Sequence, residues 1–181
     1  MNDEKKRLRN ELIKRRKELS SFVKDKLDIS VYNNLVSNEI YKNAKGILVY
    51  FSGKTEVDTK RIIENALKSG KDIGIPKCSA DSNEMTFCLI YGFDDLENGA
   101  YSVSEPRDYC EKINDFESFV CIVPALCFDE NGYRIGFGKG FYDRFLSENK
   151  IKTIGLCYKD FIYKDIPRDE FDIPVDIVIS D

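Results

Sequence analysis

The sequence predicts an α/β fold: a single domain with a mostly parallel open sheet, Rossmann-like in its layering, flanked by helices and opened by an N-terminal helical pair. Three observations carry this. The run "GILVYF" (46–51) is short and continuously apolar, as in a strand buried on both faces. It is followed by the helix-like "TEVDTKRIIENALKSG" and the strand-like "DIGIP" (72–76), the strand–helix–strand rhythm of a βαβ unit. Two more apolar runs, "SFVCIVPAL" (118–126) and "VDIVIS" (175–180), supply further strands. No internal repeat or low-complexity linker interrupts the chain, so residues 1–181 read as one domain.

Each element has its own justification. Residues 3–19 form a helix with acidic residues in its first turn, where the macrodipole favours them. "SSFVKDKLDISVYNNLVSNEIYK" continues as a second helix capped by Ser20 or Ser21. Thr55 and Asp58 have capping-box-like spacing ahead of the third, Asp58 being the expected cap, and Gly70 ends it. "MTFCLIY" (85–91) reads as a strand, and Asn98–Gly99 and Glu105–Pro106 as turns. The block "GYRIGFGKGFYDR" (132–144) leads into a short helix, "GFYDRFLSEN", before the strand "KTIGLCY" (152–158).

Composition removes several function classes. There is no histidine, which excludes Ser-His-Asp and Cys-His catalysis, His-ligated zinc and imidazole proton shuttling. Six scattered cysteines form no CxxC pair and no expected disulfide framework. The N-terminus is charged and no apolar run approaches the ~20 residues that span a bilayer, so a cytoplasmic protein is expected. Residues 1–26 hold 10 Lys/Arg against 5 Asp/Glu, leaving a net charge of −9 on the remainder. The acids Glu11 and Glu18 share the outward face of the first helix, and that remainder repels a phosphate backbone. Nucleic-acid binding is therefore not expected.

Four features could carry chemistry. On the first helix Lys5, Arg9 and Arg16 fall within the apolar arc of Leu8, Leu12, Ile13 and Leu19. Either these cations snorkel past the core edge, or they face a buried anion. "TEVDT" (55–59) follows a buried strand, where α/β folds place ligands; Glu56 is a ligand contact or a solvated loop acid. Gly136, Gly138 and Gly140 with Lys139 form either a chain reversal or a backbone cradle for phosphate, without matching the dinucleotide fingerprint or the P-loop. Asp143 is a first-turn carboxylate or a magnesium ligand, and Asp176, opening the last strand, a strand-edge charge or part of the same magnesium site.

These residues resemble the 5-formyltetrahydrofolate cyclo-ligase family nearly end to end. The resemblance lies in "KKRLR" (5–9), "TEVDT", "IP" (75–76), "SEP" (104–106), "VPALCFDENGYRIGFGKGFYDRFL" (123–146) and "FDIPVDIVI" (171–179). It implies ATP-dependent conversion of 5-formyltetrahydrofolate, with or without a polyglutamate tail, into 5,10-methenyltetrahydrofolate, ADP and phosphate. By the same resemblance Lys5, Arg9, Arg134 and Gly136, Phe137, Gly138, Lys139, Gly140, Phe141 and Tyr142 are ATP contacts. Phe51, Glu56 and the segment from Gly138 to Tyr142 are substrate contacts, Lys139, Arg9 and Glu56 carry catalysis, and Asp143 and Asp176 hold Mg2+. The chain departs from the family pattern at Lys77, where arginine is frequent, at Phe141, where tyrosine is common, and at Phe171, where histidine is frequent. A monomer with no membrane partner is expected. A non-catalytic folate- or nucleotide-binding regulatory module of the same fold is the competing reading.

Overall fold

A computed structural model describes residues 3–79, 84–99 and 103–181. Its centre is a six-stranded sheet of order β11-β9-β6-β1-β2-β3. These strands are β1 (Gly46–Val49), β2 (Asp72–Cys78), β3 (Met85–Ile90), β6 (Phe119–Pro124), β9 (Lys152–Leu156) and β11 (Ile177–Ile179). Every pairing is parallel except β2 with β3, which is antiparallel. All four residues of β1 are buried, as a strand covered on both faces should be. The outer edge of β3 is closed by residues 110–113, through Leu89 N to Glu111 O and Ile113 N to Phe87 O, both 2.8 Å. That cover removes an open ladder edge.

Helices α1 (Asp3–Glu18), α2 (Ser21–Ser37), α3 (Glu39–Asn43), α4 (Lys60–Lys68) and α5 (Phe141–Glu148) flank the sheet. A three-stranded sheet, β10 (Ile162–Tyr163), β7 (Cys127–Asp129) and β8 (Arg134–Ile135), lies beside it, and β4 (Leu96–Asn98) pairs with β5 (Ser104–Pro106) as a ribbon. Gly155 lets the small sheet close in: a Cβ there would fall 2.3 Å from the Phe128 ring.

Four local expectations are corrected. The second helix breaks at Asn38, whose extended backbone ends α2 while its side chain accepts from Ile40 N at 2.9 Å and starts α3. This is the side-chain competition with the backbone that asparagine favours. Asp58 does not cap α4. Thr59 precedes that helix, its hydroxyl bonded to Tyr50 O (2.7 Å) and Ser52 N (3.0 Å), while Asp58 accepts from the Ser52 hydroxyl. Glu105–Pro106 is strand rather than turn, in β5. The apolar run 118–126 is not one strand, because the chain leaves the main sheet after Pro124 and resumes as β7 in the small one.

All six cysteines are free thiols. Among the described residues no helix is long and apolar enough to cross a membrane.

Candidate active site

The inward cations of α1 lie over the carboxyl ends of the parallel strands. Arg16 is 2% exposed. Its Nε and Nη2 donate to Leu126 O, just beyond β6, and its Nη1 donates to Thr55 O at 3.0 Å, in the loop after β1. Tyr158 and Phe161, beyond β9, stack under the guanidinium at 5.2 and 4.8 Å. One cation therefore ties together three carboxyl-end loops, where α/β folds bind ligands. Lys5 is also buried, and its ammonium meets Asp169 (2.8 Å) and Asp172. The cations thus face anions and carbonyls supplied by the chain itself, which lowers the cost of burying them.

Arg9 reaches the glycine block. Its Nε donates to Gly136 O at 2.8 Å, and a Cβ on Gly138 would sit 3.0 Å from its Cζ. Gly138 (φ 93°) and Gly140 (φ 67°) adopt backbone that L side chains rarely take, so the loop needs glycine at both. Its turn brings Phe137 and Lys139 to the surface. Gly140 opens α5 without a side-chain cap, leaving the first amides of that helix to other partners. The block reverses the chain, which is one of its two sequence readings. Phe141 and Tyr142 begin α5, and the Arg144 guanidinium lies 5.3 Å from the Phe141 ring centroid while donating to Lys139 O.

The loop after β1 carries Phe51 and Glu56. Glu56 Oε2 accepts from Gly53 N at 2.7 Å. Burial pushes its carboxyl pKa up, against the opposing pull of the Gly53 amide, Arg16 and Lys24. The loop is braced from several sides. Tyr50 donates its hydroxyl to Val57 O (3.1 Å), Asp58 N donates to Asp28 (3.0 Å), and Asp28 also accepts from Tyr158 (2.7 Å) and Lys24. Phe51 meets Phe93 edge-on at 5.9 Å, and the two line a cavity of about 460 Å3 with Leu96, Asn98, Ser104 and Arg107. Burial pushes the Cys121 and Cys127 thiols up to about 12, away from the thiolate form that a nucleophile needs.

The two expected metal carboxylates are engaged by different partners. Asp143 Oδ1 accepts from Arg134 Nη2 (2.7 Å) and Ile173 N (3.2 Å), and Arg134 Nη1 donates to Ile173 O. Arg134 is thus held within the fold, linking β8, α5 and the segment before β11. Asp176 Oδ2 accepts from Thr153 N and Oγ1, both 2.8 Å, while Lys152 stands 3.4 Å from its Oδ1. Burial raises the Asp176 pKa, but the Thr153 bonds and Lys152 together outweigh it and the net shift is downward. Among the described residues no group of three or more cysteines and carboxylates gathers that could hold a metal. Asp143 Oδ2 accepts no hydrogen bond among those residues, and its side chain is 27% exposed. One open carboxylate oxygen beside the glycine loop fits magnesium, which binds few protein ligands and completes its shell with other oxygens. Asp176, with both oxygens engaged elsewhere, does not fit the same ion in this arrangement.

Sequence reading did not assign Arg16, Asp28 or Tyr158 to the site. Arg16 carried a signal, its place on the apolar arc of α1. Asp28 carried none, because its partners Asp58 and Tyr158 are distant in sequence.

The chain is similar to known proteins over nearly its whole length. The mouse (Mus musculus) 5-formyltetrahydrofolate cyclo-ligase is 30% identical over 99% of this chain and 94% of its own length. The enzyme of the same name from Haemophilus influenzae is 26% identical over 99% and 100%. The NMR structure of Aquifex aeolicus 5,10-methenyltetrahydrofolate synthetase superposes with a TM-score of 0.85 at 34% identity, covering 97% of this chain and 88% of that one. The Mycoplasma pneumoniae 5,10-methenyltetrahydrofolate synthetase shares the fold, with a TM-score of 0.78 at 24% identity over 97% and 98% of the two chains. A family profile spans residues 1–181 throughout, and the chain belongs to the 5-formyltetrahydrofolate cyclo-ligase family.

Proposed function

We propose that this chain uses ATP to cyclise 5-formyltetrahydrofolate to 5,10-methenyltetrahydrofolate, releasing ADP and phosphate. The observation that supports it best is Arg9 on Gly136 O, which sets a cationic helix against a positive-φ glycine loop at the same strand ends that carry Phe51 and Glu56.

The formyl oxygen of an amide is a weak nucleophile and a poor leaving group. Transfer of the γ-phosphoryl group to that oxygen breaks the β–γ bridging P–O bond and releases ADP. The product is an imidate-like phosphate. The neighbouring secondary amine of the folate then attacks the formyl carbon and loses its proton, the C–O bond breaks, and phosphate leaves. Most of this catalysis is positioning and charge stabilisation, and no step calls for imidazole. Backbone amides from Gly136 to Gly140 cradle the transferring group, with Lys139 and Arg9 offsetting its charge. Phe51 packs against the folate ring system. Glu56 orients the attacking amine and takes its proton, an exchange to which its raised pKa is suited. Asp143 would hold magnesium, which would supply charge neutralisation for the nucleotide.

The test mixes folded protein, magnesium-ATP and 5-formyltetrahydrofolate and follows the near-ultraviolet absorbance of the methenyl product. No absorbance change would sink the enzymatic reading. Folate binding without folate-dependent ATP consumption would support the regulatory module instead.

A further inference from the structure

Lys5 carries one positive charge and meets two carboxylates, those of Asp169 and Asp172. One of them suffices to neutralise the buried ammonium. The pairing therefore leaves one carboxylate charge over, and the two arms are not equivalent. The Asp172 side chain is 19% exposed, and its Oδ2 also accepts from Asp169 N at 2.7 Å. The next residue, Ile173, donates its amide to Asp143 and offers its carbonyl to Arg134. Asp172 is thus a fixed part of the segment before β11. The Asp169 side chain is 45% exposed, and its carboxylate meets Lys5 alone among the described residues. Water can take over that carboxylate if the ammonium finds another acceptor.

This ion pair stands on the rim of the glycine loop. Lys5 precedes Arg9 by one turn on the same face of α1, and Arg9 donates to Gly136 O and lies against Gly138. On its other side, the step from Asp172 to Ile173 reaches Asp143, in the first turn of α5. The contacts close a ring through Lys5, Asp172, Ile173, Asp143, the loop from Gly140 back to Gly136, and Arg9. Phosphates settling at that loop bring several negative charges to the rim. Like charges a few ångströms apart repel even beside solvent, so they compete with the carboxylates for Lys5. An ammonium has three protons and can change one acceptor while keeping another. The arm that gives way is the exposed one.

We infer that Asp169 is an exchangeable counter-ion: it holds Lys5 in the free protein and yields the ammonium to the nucleotide phosphates, while Asp172 keeps Lys5 in place. The inference rests on the reading of the glycine loop as the nucleotide side of the site. Binding then has to break one ion pair first, so the free protein takes ATP more weakly than the open site would. Asp169 acts as an autoinhibitory contact, and the nucleotide itself relieves it.

The test is titration calorimetry with magnesium-ATP in the absence of folate, beside melting of the free proteins. Asp169→Asn should bind magnesium-ATP about two- to fivefold more tightly, the range set by a half-exposed ion pair. Without nucleotide it should melt lower than wild type, by up to about 4 °C. These opposite signs are the signature of the latch, because a residue that only supports the fold or only positions Lys5 would weaken both. Glu170→Gln is the control: Glu170 is the adjacent acid, exposed and in no ion pair among the described residues, and its affinity for ATP should match wild type. Unchanged or weaker ATP binding by Asp169→Asn overturns the inference. So does equal tightening in Glu170→Gln, which would reduce the effect to net charge. If wild-type protein binds no ATP, the proposed function fails and the latch with it. If wild type binds ATP and Asp169→Asn binds it no more tightly, the latch alone falls.

Discussion

Arg16 sets two nitrogens, Nε at 3.0 Å and Nη2 at 2.8 Å, on the single carbonyl oxygen of Leu126. A third nitrogen takes Thr55 O, so the loops after β1 and β6 share one buried guanidinium. Arg16→Met would keep much of the volume but leave both carbonyls without their donor. The expected cost is about 2–4 kcal/mol, measured by urea unfolding. Arg16→Lys should recover only part of it, since a point charge cannot reproduce the fork. A loss within 0.5 kcal/mol for Arg16→Met, the usual range for surface changes, would show that the loops hold without it.

Much of this arrangement was legible because it is periodic or local. The apolar run at β1 and the helical arc of α1 follow from spacing alone, and the glycine block announces its turn through residues that tolerate positive φ. The rest depends on long-range pairings. Lys5 reads as a cation awaiting an anion, yet the anions are Asp169 and Asp172, more than 160 residues away. Asp143 reads as a first-turn carboxylate, but its oxygen turns to Arg134 and Ile173 N, which the tertiary fold alone brings there. The end of β6 at Pro124 also escaped the pattern, because Ala125 and Leu126 stay buried after the chain has left the sheet.

Lys139 stands at the exposed crown of the glycine loop, between two positive-φ glycines. In the proposed mechanism a charge there acts on the transferring phosphoryl group more than on fold stability. Lys139→Ala should lower kcat by about 100- to 1,000-fold, or ~2–4 kcal/mol, as expected for a donor to developing charge. The melting temperature should stay close to wild type. Unchanged turnover would remove Lys139 from the mechanism.

Asp143 and Asp176 give opposite expectations when neutralised. Asp143→Asn keeps an oxygen for Arg134 but loses the charge at the open position, so the magnesium concentration for half-maximal activity should rise severalfold. Asp176→Asn weakens the reciprocal bonds with Thr153, in which Thr153 Oγ1 also receives Asp176 N at 2.7 Å. That change should cost about 1 kcal/mol of stability with little effect on magnesium dependence. Titration of activity against magnesium for both variants, beside their unfolding curves, separates a metal ligand from a strand-end clamp. Equal magnesium defects would mean that Asp176 leaves Thr153 to share the ion.

Glu56 makes the most specific pH prediction. Its folded pKa is raised above the ordinary 4.5, chiefly by burial. The folded state therefore holds this proton more tightly than the unfolded chain does, and above the folded pKa the ionised carboxylate lowers stability. That penalty shrinks as pH falls through the folded pKa and is gone below about 4.5, the unfolded value. Glu56→Gln can still accept from Gly53 N but carries no charge to bury. It should be more stable than wild type at neutral pH, and the two unfolding free energies should converge as pH approaches 4.5. Turnover should fall at every pH, since the amide cannot take the proton of the attacking amine. A stability difference between the two proteins that is flat from pH 7 to 4.5 would show that the carboxyl is not strained by burial. It would then reach water freely, and its claim to the proton-transfer role would lose its physical basis.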